Sequence, residues 1–223
     1  MQTHPFPFLQ PFHSRLDVRF FVREDAVSGD REIEKLTESE KIASVKQMHG
    51  NRAIRVRTDS RRMEEADALA TDIAGLTLTI RFADCQNFIV YEPKKHVACL
   101  IHAGWRGLKS GVIGNAFALL KKEWSIDPKD TVVVAGPSLC EKCAEFTDPN
   151  NEAPELSNYA RGRFIDLRSA ADDQLFALGV SRDRFERSSD CTRCSSHRYF
   201  SYRGGDREAV KNGFINCFAV TLL

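Results

Sequence analysis

The stretch His96-Val97-Ala98-Cys99-Leu100-Ile101-His102-Ala103-Gly104-Trp105-Arg106-Gly107 runs from an apolar, β-branched segment into a turn bounded by glycines. Its alternation predicts a strand over 96–101, and directly after the turn Leu108, Val112, Ile113, Ala116, Leu119 and Leu120 recur at helical spacing. A strand feeding a helix through a tight turn is a building unit of α/β proteins. Upstream, Leu76 to Phe82 and Phe88 to Tyr91 predict two further strands, the latter followed by the turn-forming Glu92-Pro93-Lys94-Lys95. Downstream, Asp127-Pro128 ends the helix. A strand is then expected over 131–135, a helix over 169–178 stopped by Gly179, and a terminal strand around Phe214 to Leu222. The expected fold is α/β (α+β), a single domain with a mixed β-sheet core flanked by helices. It spans 18–223 behind an N-terminal extension, residues 1–17.

A chain of 223 residues can bury a sizeable core without disulfides or a structural metal. With 32 Lys+Arg against 31 Asp+Glu, the net charge of +1 lacks the one-signed imbalance of a protein that lives on phosphate backbones or anionic membranes. No window approaches eighteen unbroken apolar residues. Neither nucleic acid nor a membrane is therefore an expected partner. The stretch Arg23 to Lys41 reads as a loop followed by a polar helix. The basic run Arg55 to Arg62, with Glu64, Glu65 and Asp67 close behind, reads as solvated surface. The first twelve residues have neither the basic start nor the apolar stretch of a signal peptide, so the cytoplasm is the expected compartment. There the seven cysteines would be free thiols, nucleophiles or metal ligands.

Side chains that could carry chemistry collect at element ends. His102 closes its strand, Ala83-Asp84-Cys85 closes an earlier one, and Gln47-Met48-His49-Gly50 follows a still earlier segment. His49, Cys85 and His102 together would make a centre of three protein ligands with a fourth position open, the pattern of catalytic zinc, although their spacing matches no local motif. Asp84 sits beside Cys85 as a group that could orient it or carry a proton. Between strand and helix, Arg106 at a glycine-rich helix start could seat a phosphate. By spacing alone the stronger pattern is Cys140-x-x-Cys143 with Cys191-x-x-Cys194, which suits four-thiolate zinc. The 47 residues of 144–190 contain an expected helix and are too long for a compact zinc ribbon, leaving open only a long-range structural zinc. Cys99 and Cys217 read as core.

Taken together, Gln47-Met48-His49-Gly50, Ala66-Asp67-Ala68-Leu69, Ala83-Asp84-Cys85, His102 to Gly107, Gly136-Pro137-Ser138-Leu139, Cys191-Thr192 and Phe200-Ser201-Tyr202-Arg203 stand in the order of one family. The chain resembles the YfiH-like polyphenol oxidase or laccase-domain family over roughly residues 18 to 222. The resemblance implies a zinc centre held by His49, Cys85 and His102. It also implies phosphorolysis of adenosine, inosine, guanosine and methylthioadenosine, and deamination of adenosine, so that purine nucleosides and phosphate are the expected small-molecule partners. By motif position, Arg23 with Val27-Ser28-Gly29 matches a family segment and joins Arg106 as an expected substrate or phosphate ligand. Glu24-Asp25-Ala26 replaces the family's glycine pair, Cys140 stands where the family has glycine, and the segment before Gln47 is shortened.

Two alternatives accompany this reading. One is a copper-dependent polyphenol oxidase, because two histidines and a cysteine are also the core of a blue-copper site; the remaining histidines, at 4, 13, 96 and 197, are scattered and too few for a multicopper cluster. The other is a zinc-ribbon binding module built on Cys140, Cys143, Cys191 and Cys194, which leaves the segment His102 to Gly107 unexplained. The expectation is one metal per chain, zinc, with Cys140→Ser nearly neutral.

Overall fold

The computed structural model describes residues 1–223. Its strands are β1 (Gln2–Thr3), β2 (Leu16–Phe21), β3 (Ile42–Lys46), β4 (Ala53–Arg55), β5 (Ser60–Glu65), β6 (Ala68–Thr71), β7 (Thr77–Phe82), β8 (Gln86–Glu92), β9 (Val97–Ala103), β10 (Val132–Ala135), β11 (Ala160–Arg161), β12 (Phe164–Ile165), β13 (Phe185–Arg187) and β14 (Asn216–Leu222). The helices are α1 (Asp30–Thr37), α2 (Trp105–Lys109), α3 (Val112–Trp124), α4 (Pro149–Glu152), α5 (Leu167–Leu178) and α6 (Arg207–Lys211). Two six-stranded mixed sheets result, ordered β1-β2-β14-β7-β3-β5 and β13-β10-β8-β9-β6-β4, with β11 and β12 as a separate small pair. The α/β class and the mixed, helix-flanked β core follow the sequence expectation.

Side-chain alternation sorts these strands into layers. In β9, Val97, Cys99, Ile101 and Ala103 face a core shared with α2, α3 and α5, whereas Ala98 and Leu100 face the other sheet. Strand β8 repeats the division, Phe88 and Val90 toward the helices, Ile89 and Tyr91 between the sheets. From the first sheet Leu78, Ile80, Phe82, Phe218 and Val220 complete the inter-sheet layer, and a smaller cluster around Ile33 packs α1 against that sheet's outer side. Each fully buried Val, Leu, Ile or Phe among them contributes about 1.5–3 kcal/mol. Both central strands must therefore be apolar on both faces, which is why they read as near-continuous hydrophobic runs.

Several boundaries differ from expectation. The helix expected after Gly107 is two helices, because the chain breaks at Ser110 and Gly111 before α3 begins. Residues 1–17 lie on the body: β1 pairs with β2, and Leu9 is fully buried in the inter-sheet layer. Part of the basic run forms β5, an edge strand whose side chains are largely exposed, consistent with a solvated face and with the charged edges that discourage sheet-to-sheet association. No helix is long and apolar enough to cross a membrane.

Candidate functional site

The chain crosses from the first sheet to the second three times at one end of the sandwich, because β3, β5 and β7 run parallel. The crossing between β3 and β4 carries His49, that between β5 and β6 carries Asp67, and that between β7 and β8 carries Cys85. His102, two residues beyond Leu100 on β9, shares its inter-sheet parity and meets all three crossings. The donor atoms of His49, Cys85 and His102 lie within 4.8 Å of one another, and the two imidazole rings stand edge to face with centroids 4.8 Å apart.

A buried carboxylate organises this cluster. Asp67 Oδ1 is 2.8 Å from His102 Nδ1, which leaves Nε2 as the ring nitrogen for a metal. The same carboxylate accepts the backbone N–H groups of Met48 (3.1 Å), His49 (2.9 Å) and Gly50 (2.7 Å), so one side chain holds both the His49 loop and the His102 ring. Burial opposes its charge, but His102 and these amides hold the Asp67 carboxyl below its ordinary range. Gln47 fastens the loop from the other side: its amide donates to the Arg81 carbonyl at 2.7 Å and accepts the Arg81 N–H at 2.9 Å. His49 itself adopts a left-handed backbone, φ 58°, a conformation that needs such support.

Gly104 explains part of the motif that begins at His102. A Cβ there would stand 2.8 Å from His49 Cδ2 and 3.1 Å from Cys85 Sγ, and one at Gly107 would stand 2.9 Å from the Gly50 carbonyl. Both glycines let the α2 backbone close over the cluster. Burial would raise the Cys85 thiol, yet the neighbouring His102 and His49 lower it to about 6. Conversely burial would lower His102, and the Cys85 sulfur with the Asp67 carboxylate raises it to about 9. Sulfur and nitrogen donors fit a borderline-soft ion such as zinc, and the cluster faces a cavity of about 550 Å³.

Trp105, Arg106, Arg62, Arg81, Tyr202 and Arg203 line the same cavity. Arg81 is paired with Asp30 at 2.8 Å, and Arg203 donates to the Glu145 carbonyl. Arg106 is exposed and stacks over the Trp105 ring at 4.1 Å. Helix α2 has only five residues, so its dipole adds little to the expected anion seat, which rests on side chains.

Asp84 and Arg23 stand apart from the cluster in their contacts. The Asp84 carboxylate accepts Thr192 Oγ1 at 2.7 Å, Ser201 Oγ at 2.6 Å and the Arg203 N–H at 2.7 Å, while its backbone carbonyl accepts the Leu139 N–H at 3.0 Å. Three other motif segments thus converge on this residue, which holds a left-handed φ of 85° beside Cys85. The guanidinium of Arg23 donates to the carbonyls of Ser196 (2.7 Å) and Tyr199 (3.0 Å) and pairs with Asp206. It braces the loop carrying Ser201 and Arg203 and does not line the cavity.

Asp67 and Gln47 escaped the sequence reading as working residues. The available signal was a lone acid within the apolar run Ala66 to Ala70. A second group is also assembled: Cys140, Cys143, Cys191 and Cys194 have sulfurs within 4.8 Å of one another, although 47 residues separate the two pairs. This is the long-range arrangement that the separation leaves open. Strands β10 and β13 are adjacent and parallel, so the loops that follow them leave the sheet at the same end. The four cysteines are part of the α/β body, not a separate ribbon module. Cys99 and Cys217 are buried as expected.

The remaining four histidines lie elsewhere, His4 edge-on to His13, His96 3.0 Å from the Tyr91 hydroxyl and His197 exposed. Over 148 residues, 61% of this chain and 54% of the relative, the sequence is 32% identical to purine nucleoside phosphorylase YlmD of Geobacillus stearothermophilus. It is 29% identical to adenosine deaminase RL5, from an unknown prokaryotic organism, over 68% of this chain and 62% of the relative. These alignments span little more than half the length of such relatives. The crystal structure of YlmD from the same Geobacillus has a TM-score of 0.79, with 22% identity, 97% of this chain and 94% of that chain covered. That of Bacillus licheniformis YfiH has a TM-score of 0.74 at 21% identity, covering 86% and 79%, and both likenesses show the fold. The model of the multi-copper polyphenol oxidoreductase laccase family matches residues 10–216, and the chain belongs to that family.

Proposed function

We propose that the protein is a metal-dependent enzyme that cleaves purine nucleosides with phosphate, its metal held by His49, Cys85 and His102. The observation that carries this is the convergence of those three donors, within 4.8 Å, on a cavity of about 550 Å³ that arginines also line. That volume accommodates a small-molecule ligand. Relatives named purine nucleoside phosphorylase and adenosine deaminase support the substrate class.

In phosphorolysis a phosphate oxygen bonds to the ribose C1′ as the bond from C1′ to the purine nitrogen breaks, and the purine departs with the bonding pair and takes up a proton. Arg106 and Arg62 hold the phosphate by charge-assisted contacts and bring it to the sugar. Trp105, packed edge-on against Phe146 at 5.6 Å, gives the cavity a rigid aromatic wall against which a purine stacks. Bound at the three ligands, a metal supplies Lewis acidity and hydroxide near neutral pH, the chemistry that deamination of adenosine requires. Asp67 fixes the tautomer and direction of His102, and Asp84 acts as a positioning residue, its oxygens occupied by three donors.

A multicopper oxidase is disfavoured because His4, His13, His96 and His197 belong to no metal-ligating group, and the cavity beside the three ligands suits zinc with a place for substrate. Release of hypoxanthine from inosine tests the proposal when measured with and without phosphate. Phosphate-dependent release with ribose 1-phosphate as co-product is expected; base release independent of phosphate, or no turnover in zinc-loaded protein, would refute it. Ammonia release from adenosine tests the deaminase activity separately.

A further inference from the structure

We propose that Cys140, Cys143, Cys191 and Cys194 bind a second, structural zinc ion that ties the loop after β10 to the loop after β13. A tetrahedral ion with zinc–sulfur bonds of about 2.3 Å requires sulfurs roughly 3.8 Å apart. Cys143 Sγ lies 3.5 Å and Cys140 Sγ 4.0 Å from Cys194 Sγ, and all four sulfurs fall within 4.8 Å of one another. All four are free thiols, as a metal site requires. Each pair has two intervening residues, the spacing that lets one loop present two sulfurs to one ion.

The surroundings suit a four-thiolate centre. The backbone N–H of Cys140 points at Cys191 Sγ, 3.3 Å away, as amides do toward metal-bound thiolates. Four thiolates and one divalent zinc carry two net negative charges, and Arg168 supplies a neighbouring cation. Its guanidinium donates to the carbonyls of Ser138 (2.6 Å) and Leu139 (3.2 Å) in one loop and of Ser189 (3.1 Å) and Asp190 (2.5 Å) in the other. The two loops are thus already joined by an arginine, and the ion would close the joint a few residues further on.

This position gives the ion a purpose. Leu139 lines the cavity and bonds the Asp84 carbonyl, Thr192 holds the Asp84 carboxylate, and Phe146 supports Trp105. Closing the joint would therefore hold the cavity wall and the residue beside Cys85. The site does not depend on the proposed reaction, and its chemistry differs from that of the first centre: four sulfurs, no imidazole and no ligand position left for substrate.

Zinc content by mass spectrometry of the whole protein, expressed with zinc in the medium, tests the assignment. Wild-type chain should carry two zinc ions. The triple variant His49→Ala, Cys85→Ala, His102→Ala should keep one, and the pair Cys140→Ser, Cys194→Ser should lose one with a fall in melting temperature. Thiol titration in denaturant with chelator should find all seven cysteines reduced. A triple variant devoid of zinc overturns the proposal whether or not the cysteine variant folds, and so does a titration that finds a disulfide among the four. Because the triple variant is inactive under the proposed reaction, its zinc count separates failure of this site from failure of that reading.

Discussion

The His49, Cys85 and His102 cluster and the four-cysteine cluster are both built where neighbouring loops leave a sheet end, yet they differ in donors and in access. The first combines nitrogen and sulfur, is backed by the buried Asp67 and opens into the cavity. The second has only sulfur, is braced by Arg168, and has no member among the cavity-lining residues. Three ligands with an open position leave room for chemistry; four ligands close the ion off and use its binding energy for folding. Disturbing the first cluster should therefore remove activity with little change in the fold, and disturbing the second should loosen the fold before it affects chemistry.

The largest effect should come from Cys85→Ala or His102→Ala. Loss of a ligand is expected to empty the open centre and lower nucleoside turnover by on the order of a thousandfold or more. Steady-state rates and zinc content measure this, and circular dichroism should be unchanged. A variant with near-normal rate and metal content would remove that residue from the ligand set.

Gly104→Ala should come next, because the new methyl group meets both His49 and Cys85. Overpacking of this kind costs about 1–3 kcal/mol, which at the ligands corresponds to up to roughly a hundredfold loss of metal affinity. Chelator competition should show weaker zinc at one centre only. Equal loss from both would mean that the clusters are not independent.

Asp67→Asn keeps the size of the side chain and removes its charge. An expected 10–100-fold drop in metal affinity or activity, typical for a group that orients a metal-binding histidine, would place Asp67 in the working part of the site. An unchanged affinity would make it a loop fastener alone.

For Arg106→Ala the expectation is about a tenfold rise in the KM for phosphate, from a lost charged contact worth about 1.5 kcal/mol, with metal content unaltered. Initial rates at varied phosphate decide the matter, and an unaltered KM would return Arg106 to stacking on Trp105. The smallest effect belongs to Cys99→Ala. Cys99 is buried on the helix-facing side of β9 and burial pushes its thiol up to about 12. Its removal should cost about 1 kcal/mol in denaturant unfolding, with both metals and turnover retained.

How far each region was legible depended on whether its defining interactions are local. The apolar faces of β7, β8 and β9 appear as alternation within a few residues, the stop of α5 at Gly179 as a single residue, and the strand-to-helix turn over Ala103 to Gly107 as two glycines. The three proposed ligands stand at element ends in the sequence, and the motif resemblance implies that they act together. The helix break at Gly111, the short strand β13 and the edge strand β5 were missed, because propensity and pattern are weak over so few residues and pairing decides them.

By itself, then, the sequence determined the α/β class and the alternating core of the central strands, which rest on residue type and short-range period, and offered the candidate residues of the open centre through their places at element ends and the family resemblance. Tertiary structure decided which of those residues meet. Three crossings at one sandwich end bring His49, Asp67 and Cys85 to His102, Asp67 reaches both histidine segments at once, and Arg23 is drawn off to Asp206. It also decided the fate of the two cysteine pairs: 47 residues apart in the chain, they close to within 4.8 Å because β10 and β13 pair in parallel and leave the sheet side by side. Strand direction and neighbour are long-range choices settled by the burial of whole faces, and no local window of sequence contains them.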